Sequence, residues 1–285
     1  VTGRTVRVTD RNDDRLDAYR DLTDAQLRRR VEARDRVFVV EGHLAVRSLV
    51  DSPYGIRSLL VADTRVETLG DLVSAVVERG ADVLVAPLEV LVATVGFNMH
   101  RGVVALGARP ADARPDEVLA QAVRAPAIGG VPVLALVEGV NDHENLGALF
   151  RNAAAFGVAG VLLDPTSADP LYRRAVRVSL GHVLRIPWAR IDAWPDGLDG
   201  VTRAGFTIVG LTPAPGAPEL TGVGAGPVAV LVGAEGHGLS GPALDAAAVH
   251  ARIPMAPGVD SINVATAAAI AFHHFRTRPG GEGAE

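Results

Sequence analysis

The sequence predicts an α/β protein whose C-terminal half is built on a parallel sheet, preceded by a smaller α/β unit. Three observations predict it. In the second half, five apolar runs of strand length, Val133–Val137, Val161–Leu163, Val183–Ile186, Thr207–Leu211 and Val228–Val232, are mostly separated by helical patterns. That alternation implies βαβ units on a sheet covered on both faces. The same alternation recurs on a smaller scale in the first half, and residues 107–131 between the halves are rich in Ala, Pro and Gly, as interdomain connections are. The expected division is 1–106, 107–131 and 132–285.

Taken in order, Asp13–Arg36 reads as one or two polar helices, with Leu16, Tyr19, Leu22 and Leu27 at loosely helical spacing. Val37–Val40 is a short strand, followed by Glu41-Gly42 and a helix over His43–Val50. Ser58–Ala62, Leu69–Arg79 and Asp82–Ala86 continue as strand, helix and strand, and the unit ends near Gly107. Asp116–Val123 is a short helix within the connection. Beyond it, Ala148–Phe156 is helical, with Asn145 as a suitable N-cap and Gly157 closing it. The last helix, Val264–Phe275, carries His273 and His274 in its final turn, where positive charge suits the helix dipole.

Composition narrows the function. Hydrophobic residues make up 48% and charged residues 21%, as in an ordinary globular chain. The absence of cysteine excludes disulfides and Cys-based zinc sites, and no metal-ligand spacing accompanies the histidines, so no metal is expected. Val1–Asp14 lacks the apolar core of a signal peptide, and no stretch approaches the ~20 apolar residues of a membrane span. A cytoplasmic protein with no membrane association is expected. The net charge of −5 argues against bulk electrostatic coating of nucleic acid. Every basic residue other than histidine is an arginine, however, and two groups stand out. One is N-terminal (Arg15, Arg20, Arg28, Arg29, Arg30, Arg34, Arg36), and the other is Arg173, Arg174, Arg177 and Arg185. Guanidinium forks suit phosphate, although charge runs are usually solvated faces.

Three segments interrupt apolar strands at their C-terminal ends, where open α/β sheets bind ligands. The first, Asn141 to Gly147, runs into a helix whose stripe is Leu146, Leu149, Phe150, Ala153 and Phe156, which leaves Arg151 pointing away from the core. The plain structural alternative is that Asn145 only caps and Arg151 is only a surface residue. The second, Gly233 to Ser240, places Glu235 among glycines that permit a tight turn, so the carboxylate could receive a donor. Ser240 is the N-cap of a helix that begins before Pro242. The third runs from Ile253 through Ser261 and Asn263 into an alanine-rich helix that Ser261 or Asn263 would cap. Gly222 to Gly226 mimics a dinucleotide fingerprint but precedes a strand, Pro242 spoils a nucleophile elbow at Ser240, and no Walker A sequence is present.

In this order and separation, the three segments resemble the signature motifs of the SpoU (TrmH-like) RNA ribose methyltransferases of the SPOUT superfamily. Asp142 to Gly157 resembles DxxNxGxxxRxAxxFG, and Val232 to Leu239 resembles hVGxEGxGL. Ile253 to Ile270 resembles IPMxxxxxSLNVAxAxAI, with Ile262 in place of leucine. Residues 13–106, notably Phe38 to Gly42, resemble the L30e-like RNA-binding domain that precedes the catalytic domain in many members. The resemblance implies a C-terminal trefoil knot, a homodimer, and S-adenosyl-L-methionine (AdoMet) bound in a bent form. It places the cofactor against Leu211, Thr212, Gly233, Ala234, Glu235, Gly236, Ile253, Met255, Ser261, Ile262, Asn263 and Ala265. The family's catalytic or substrate-contacting positions fall on Asn145, Arg151, Glu235, Ser261 and Asn263.

The activity so implied is methylation of a ribose 2′-hydroxyl in RNA, with ribosomal RNA preferred over transfer RNA because of the extra N-terminal domain. Such a hydroxyl is a poor acid, so alignment and electrostatics should supply much of the rate. Guanidinium groups keep their proton in proteins. Arg151 is therefore expected to bind the adjacent phosphate or polarise the hydroxyl, and whether it is the base stays open. Two readings compete: a non-catalytic RNA-binding paralogue, which would bind RNA without methyl transfer, and a nicotinamide-dependent oxidoreductase, which would be stabilised by NAD(H) and not by AdoMet.

Overall fold

The computed structural model describes residues 3–23, 25–99, 102–125, 131–224 and 226–277, and not the side chains of 25–29. The side chains of Leu27, Arg28 and Arg29, and residues 126–130 of the expected connection, lie outside the described residues. The chain divides into two compact units, Val1–Ala111 with Leu171–Arg185, and Asp112–Pro170 with Ile186–Glu285.

The first unit runs β1 (Thr5–Arg7), a 3-10 helix (Asp14–Tyr19), α1 (Ala25–Asp35), β2 (Val37–Glu41), α2 (His43–Val50) and β3 (Ile56–Ala62). It continues with α3 (Gly70–Glu78), β4 (Asp82–Ala86), α4 (Leu88–Val95) and β5 (Val103–Ala108). Its sheet has the order β1-β4-β3-β5-β2, parallel through β1, β4 and β3 and antiparallel at β5. Leu16, Tyr19 and Leu22 all enter its core. Tyr19 stays satisfied there because its hydroxyl shares a 2.7 Å hydrogen bond with Ser58. Apolar patterning alone did not mark β1, α4 or β5, and β5 ends at Ala108, close to the expected end near Gly107.

The second unit opens with α5 (Pro115–Arg124), the short helix expected at Asp116–Val123, which belongs to this unit's core and is not part of a connection. Val118, Leu119 and Ala122 of α5 pack into the same core as Leu134, Leu162 and Ala229. There follow β6 (Val133–Val137), α6 (His143–Ala155) and β7 (Gly160–Leu163). The chain then leaves for the first unit, where it forms α7 (Arg173–Val178), and returns as β8 (Trp188–Arg190). The remainder is α8 (Asp199–Arg203), β9 (Thr207–Leu211), β10 (Val228–Val232), α9 (Gly241–Asp245), β11 (Val249–Ala251) and α10 (Val264–Arg276).

Its sheet, β11-β9-β10-β6-β7-β8, is parallel throughout. The central strands β6 and β10 are buried along their whole length, which is why they read as unbroken apolar runs. Val183–Ile186 is not a strand. Leu180 and Gly181 take positive φ, and His182–Leu184 turns as a 3-10 helix, so an apolar run that periodicity could not classify packs as a turn. Among the described residues, no helix is long and apolar enough to cross a membrane.

Candidate active site

From β6 the sheet grows outward through β7 and β8, then reverses to place β10 between β9 and β6. A crevice is expected beyond the carboxyl ends of the strands at such a reversal. The ends of β9 and β10 do open onto a cavity of 780 Å³, within the size range of small-molecule sites. Its lining includes Leu211, Thr212, Gly233 to Leu239, Ile253, Met255 and Asp260 to Val264. Of the residues expected to meet a cofactor, Ala265 alone is not in the lining. It is buried in α10, where its amide donates to Asn263 and its carbonyl accepts from Asn152.

Two helix N-termini meet at the mouth. Asp142, not Asn145, caps α6, its carboxylate accepting from the amides of Glu144 and Asn145 at 2.8 Å each. Either residue type can cap. With Asp142 in that role, Asn145 lies in the first turn with its side chain available. Asn263 caps α10, accepting from the amides of Ala265 and Thr266 at 3.0 and 3.2 Å. Its Nδ2 donates to Asn145 Oδ1 at 2.7 Å and to Glu235 Oε1 at 2.8 Å. One amide thus joins the three motif segments. The two helices are held in register farther along, where Asn152 Nδ2 donates to the Ala265 carbonyl at 2.8 Å and the Phe156 and His273 rings meet edge-on at 5.6 Å.

Ser261 is exposed in the lining of the cavity. Arg151 is exposed on α6, as its helical position predicts, and has no hydrogen bond or ion pair to a described residue. The structure therefore brings together Asn145, Glu235 and Asn263, sets Ser261 beside them, and leaves Arg151 apart.

Several residues that position the site carry little signal in the sequence. Glu138, directly after β6, accepts from the Trp194 indole at 2.8 Å and from the Ser240 amide and hydroxyl at 2.8 and 2.7 Å. It pins the end of the glycine turn while Ser240 caps α9. Its only sequence signal is a carboxylate at the end of an apolar strand. Asp164, directly after β7, accepts from the amides of Gly139, Thr166 and Ser167 and the hydroxyls of Thr166 and Ser167. This fixes the approach to α6. Burial pushes the Asp164 carboxyl up, but the Ser167 and Thr166 hydroxyls and the Gly139 and Thr166 amides outweigh it and hold it below the ordinary aspartate value. A carboxyl with a depressed folded pKa stabilises the fold above the unfolded value, and that contribution is lost as pH falls through the folded value. Asp164→Asn is expected to cost about 1–3 kcal/mol at neutral pH and to flatten the loss of stability below about pH 4. Urea melts across pH check this. An unchanged acid limb would show that Asp164 does not act through its charge.

The family model for the SpoU rRNA methylase family matches residues 132–273. A Mycobacterium tuberculosis protein described as an uncharacterized tRNA/rRNA methyltransferase is 42% identical over 277 residues, covering 96% of this chain and 92% of its own. Among solved structures, an AdoMet-bound rRNA methyltransferase from Sinorhizobium meliloti superposes with a TM-score of 0.76 at 27% identity, covering 95% of this chain and 97% of that one. The SpoU methyltransferase AviRb of Streptomyces viridochromogenes, at 23% identity and a TM-score of 0.71 over 92% and 96% of the two chains, shares the fold. The near full-length match to the mycobacterial relative and the single amide joining all three motif segments lead to one assignment: this chain belongs to the SpoU family of tRNA/rRNA methyltransferases.

Proposed function

We propose that the protein transfers a methyl group from AdoMet to a ribose 2′-hydroxyl of RNA, with ribosomal RNA preferred to transfer RNA. The observation that carries this reading is the amide of Asn263 shared between Asn145 and Glu235 at the mouth of a glycine-walled cavity. The charge of that cavity supports the cofactor. Among the described residues, its lining contains Glu235 and Asp260 and no arginine, although arginine supplies all the chain's basic residues other than histidine. A cationic sulfonium suits such a site, whereas the diphosphate of a nicotinamide dinucleotide would face two carboxylates. Thr212, Ser261 and the backbone of Gly233 to Gly236 would hold the cofactor, which supplies an electrophilic methyl group when bound.

The chain's own residues orient the acceptor. Asn263 fixes Asn145 and Glu235, leaving the Asn145 amide and the second Glu235 oxygen to meet a ribose. Arg151 holds a backbone phosphate or polarises the hydroxyl. On this reading Arg151→Ala changes stability by less than about 0.5 kcal/mol, because the side chain is exposed. It lowers turnover by about 100-fold or more. Steady-state methylation checks this, and near-normal turnover at saturating RNA would remove Arg151 from the mechanism. The same reading carries a cytoplasmic homodimer, a trefoil knot in residues 132–285 and an L30e-like domain in 1–106.

The deciding experiment incubates the protein with tritiated AdoMet and separated ribosomal and transfer RNA, then hydrolyses the product in alkali. A methylated 2′-oxygen cannot attack its phosphodiester, so label is expected in alkali-stable dinucleotides from ribosomal RNA. Label in mononucleotides would mean base methylation, label in transfer RNA alone would reverse the substrate preference, and label in neither would sink the enzymatic reading.

A further inference from the structure

Charge is unevenly divided in this chain. The first unit holds 20 of the 28 arginines against 16 of the 33 acidic residues, and the second holds 8 against 17. Within the first unit, residues 1–111 carry 16 of each, so the whole excess comes from Leu171–Arg185, with four arginines and no acid.

Several arginines of residues 1–111 are already paired with acids. Near the N-terminus, Arg15 pairs with Asp13 at 2.5 Å, Arg20 with Asp17 at 3.0 Å, Arg34 with Asp35 at 2.7 Å and Arg47 with Asp71 at 2.6 Å. Hydrogen bonds from Arg15 hold the Asp13 carboxyl down at about 2. In Leu171–Arg185 Arg173 is buried and consumed. It is 8% exposed, its Nη1 lies 3.2 Å from Glu41 Oε2, and its guanidinium sits 5.1 Å from the Phe97 ring centroid. This corrects the expectation that Arg173 belongs to an RNA-contacting group.

Arg173 instead anchors the segment, and Gly181 adds a second point of attachment. A Cβ there would lie 2.5 Å from Ser48 Cβ and 3.0 Å from Ala45 Cα, and Ser48 Oγ donates to the Leu180 carbonyl at 3.1 Å. Arg174, Arg177 and Arg185 remain exposed, the first two three residues apart on one face of α7. Arg177 also reaches Glu41 at 3.8 Å, while Arg174 and Arg185 have no hydrogen bond or ion pair to a described residue.

We propose that Leu171–Arg185 is the surface on which the RNA backbone docks, with Arg174 and Arg185, assisted by Arg177, taking phosphates. Arg15, Arg20, Arg34 and Arg47, each already paired with an aspartate, contribute little. The proposal rests on the RNA methyltransferase reading, and its test reads binding separately from methyl transfer. Anisotropy of a fluorescein-labelled RNA hairpin is titrated with the full chain over a range of NaCl. Arg174→Ala with Arg185→Ala is expected to weaken binding and to lower the slope of log affinity against log salt by about 0.7–0.9 per guanidinium removed. Arg15→Ala with Arg47→Ala is expected to leave the slope unchanged, and Arg174→Lys with Arg185→Lys to keep the native slope, because the charge persists.

With tritiated AdoMet, the double alanine variant is expected to raise the KM for RNA and keep kcat. An unchanged slope in that variant, or an equal fall in the Arg15/Arg47 pair, overturns the surface. If the native protein labels no RNA yet shows the expected slopes, the methyltransferase reading falls and the surface stands. If it labels RNA with slopes insensitive to Arg174 and Arg185, the surface alone falls.

Discussion

Asn263→Ala is expected to lower kcat/KM for methyl transfer by at least about 100-fold, the scale of losing one preorganised donor. It should cost only about 1 kcal/mol of stability, the scale of losing an N-cap. The two effects are separable because different atoms carry them. Oδ1 caps α10 through Ala265 and Thr266, while Nδ2 holds Asn145 and Glu235. Asn263→Asp keeps the capping oxygen and removes the donor. It also puts a second carboxylate within hydrogen-bonding distance of Glu235, and like charges so close raise the pKa of one of them. That variant is expected to melt close to the native protein, to be as inactive as the alanine variant at neutral pH, and to recover part of its rate as pH falls and the new carboxyl becomes a donor. Paired denaturant melts and pH–rate profiles check this. If the aspartate variant turned over normally at neutral pH, the shared amide would not be what the reaction needs.

The parts of this molecule that were legible in its sequence are those set by local chemistry. Val133–Val137, Thr207–Leu211 and Val228–Val232 are strands over the bounds their apolar runs define, because a parallel strand covered on both faces must be apolar along its length. Glu235 among its glycines suggested a carboxylate awaiting a donor, and Asn263 supplies it. What was hidden depends on residues distant in sequence. Nothing near Asn145 reveals that Asp142 takes the cap, since both residue types serve. Nothing near Arg173 reveals that Glu41, 132 positions earlier, neutralises it. Val183–Ile186 failed as a strand for the same reason, since Val183 and Leu184 belong to the first unit, where they form a 3-10 turn, and only Ile186 falls in the second.

Gly233→Ala is expected to abolish measurable AdoMet binding and to cost about 1–3 kcal/mol, the range of overpacked cores. Gly233 directly follows β10, and a Cβ on it would lie 2.3 Å from the Gly238 carbonyl carbon and 2.4 Å from the Leu239 amide nitrogen. Both are backbone atoms, so no side chain can yield, and the turn itself must open. That turn is closed by the Gly238 amide donating to the Ala234 carbonyl at 3.0 Å and is held at its far end by Glu138 through Ser240. Opening it displaces Glu235 from Asn263 as well as the cavity wall. Gly236 is glycine for a different reason. A Cβ there meets nothing within 4 Å, but φ is +96°, so alanine strains the backbone by about 1–2 kcal/mol without filling the cavity. Gly236→Ala is therefore expected to weaken AdoMet binding several-fold where Gly233→Ala removes it. Isothermal titration with AdoMet on both variants separates steric closure from backbone strain. Native affinity in Gly233→Ala would mean that the turn is not the wall against which the cofactor rests.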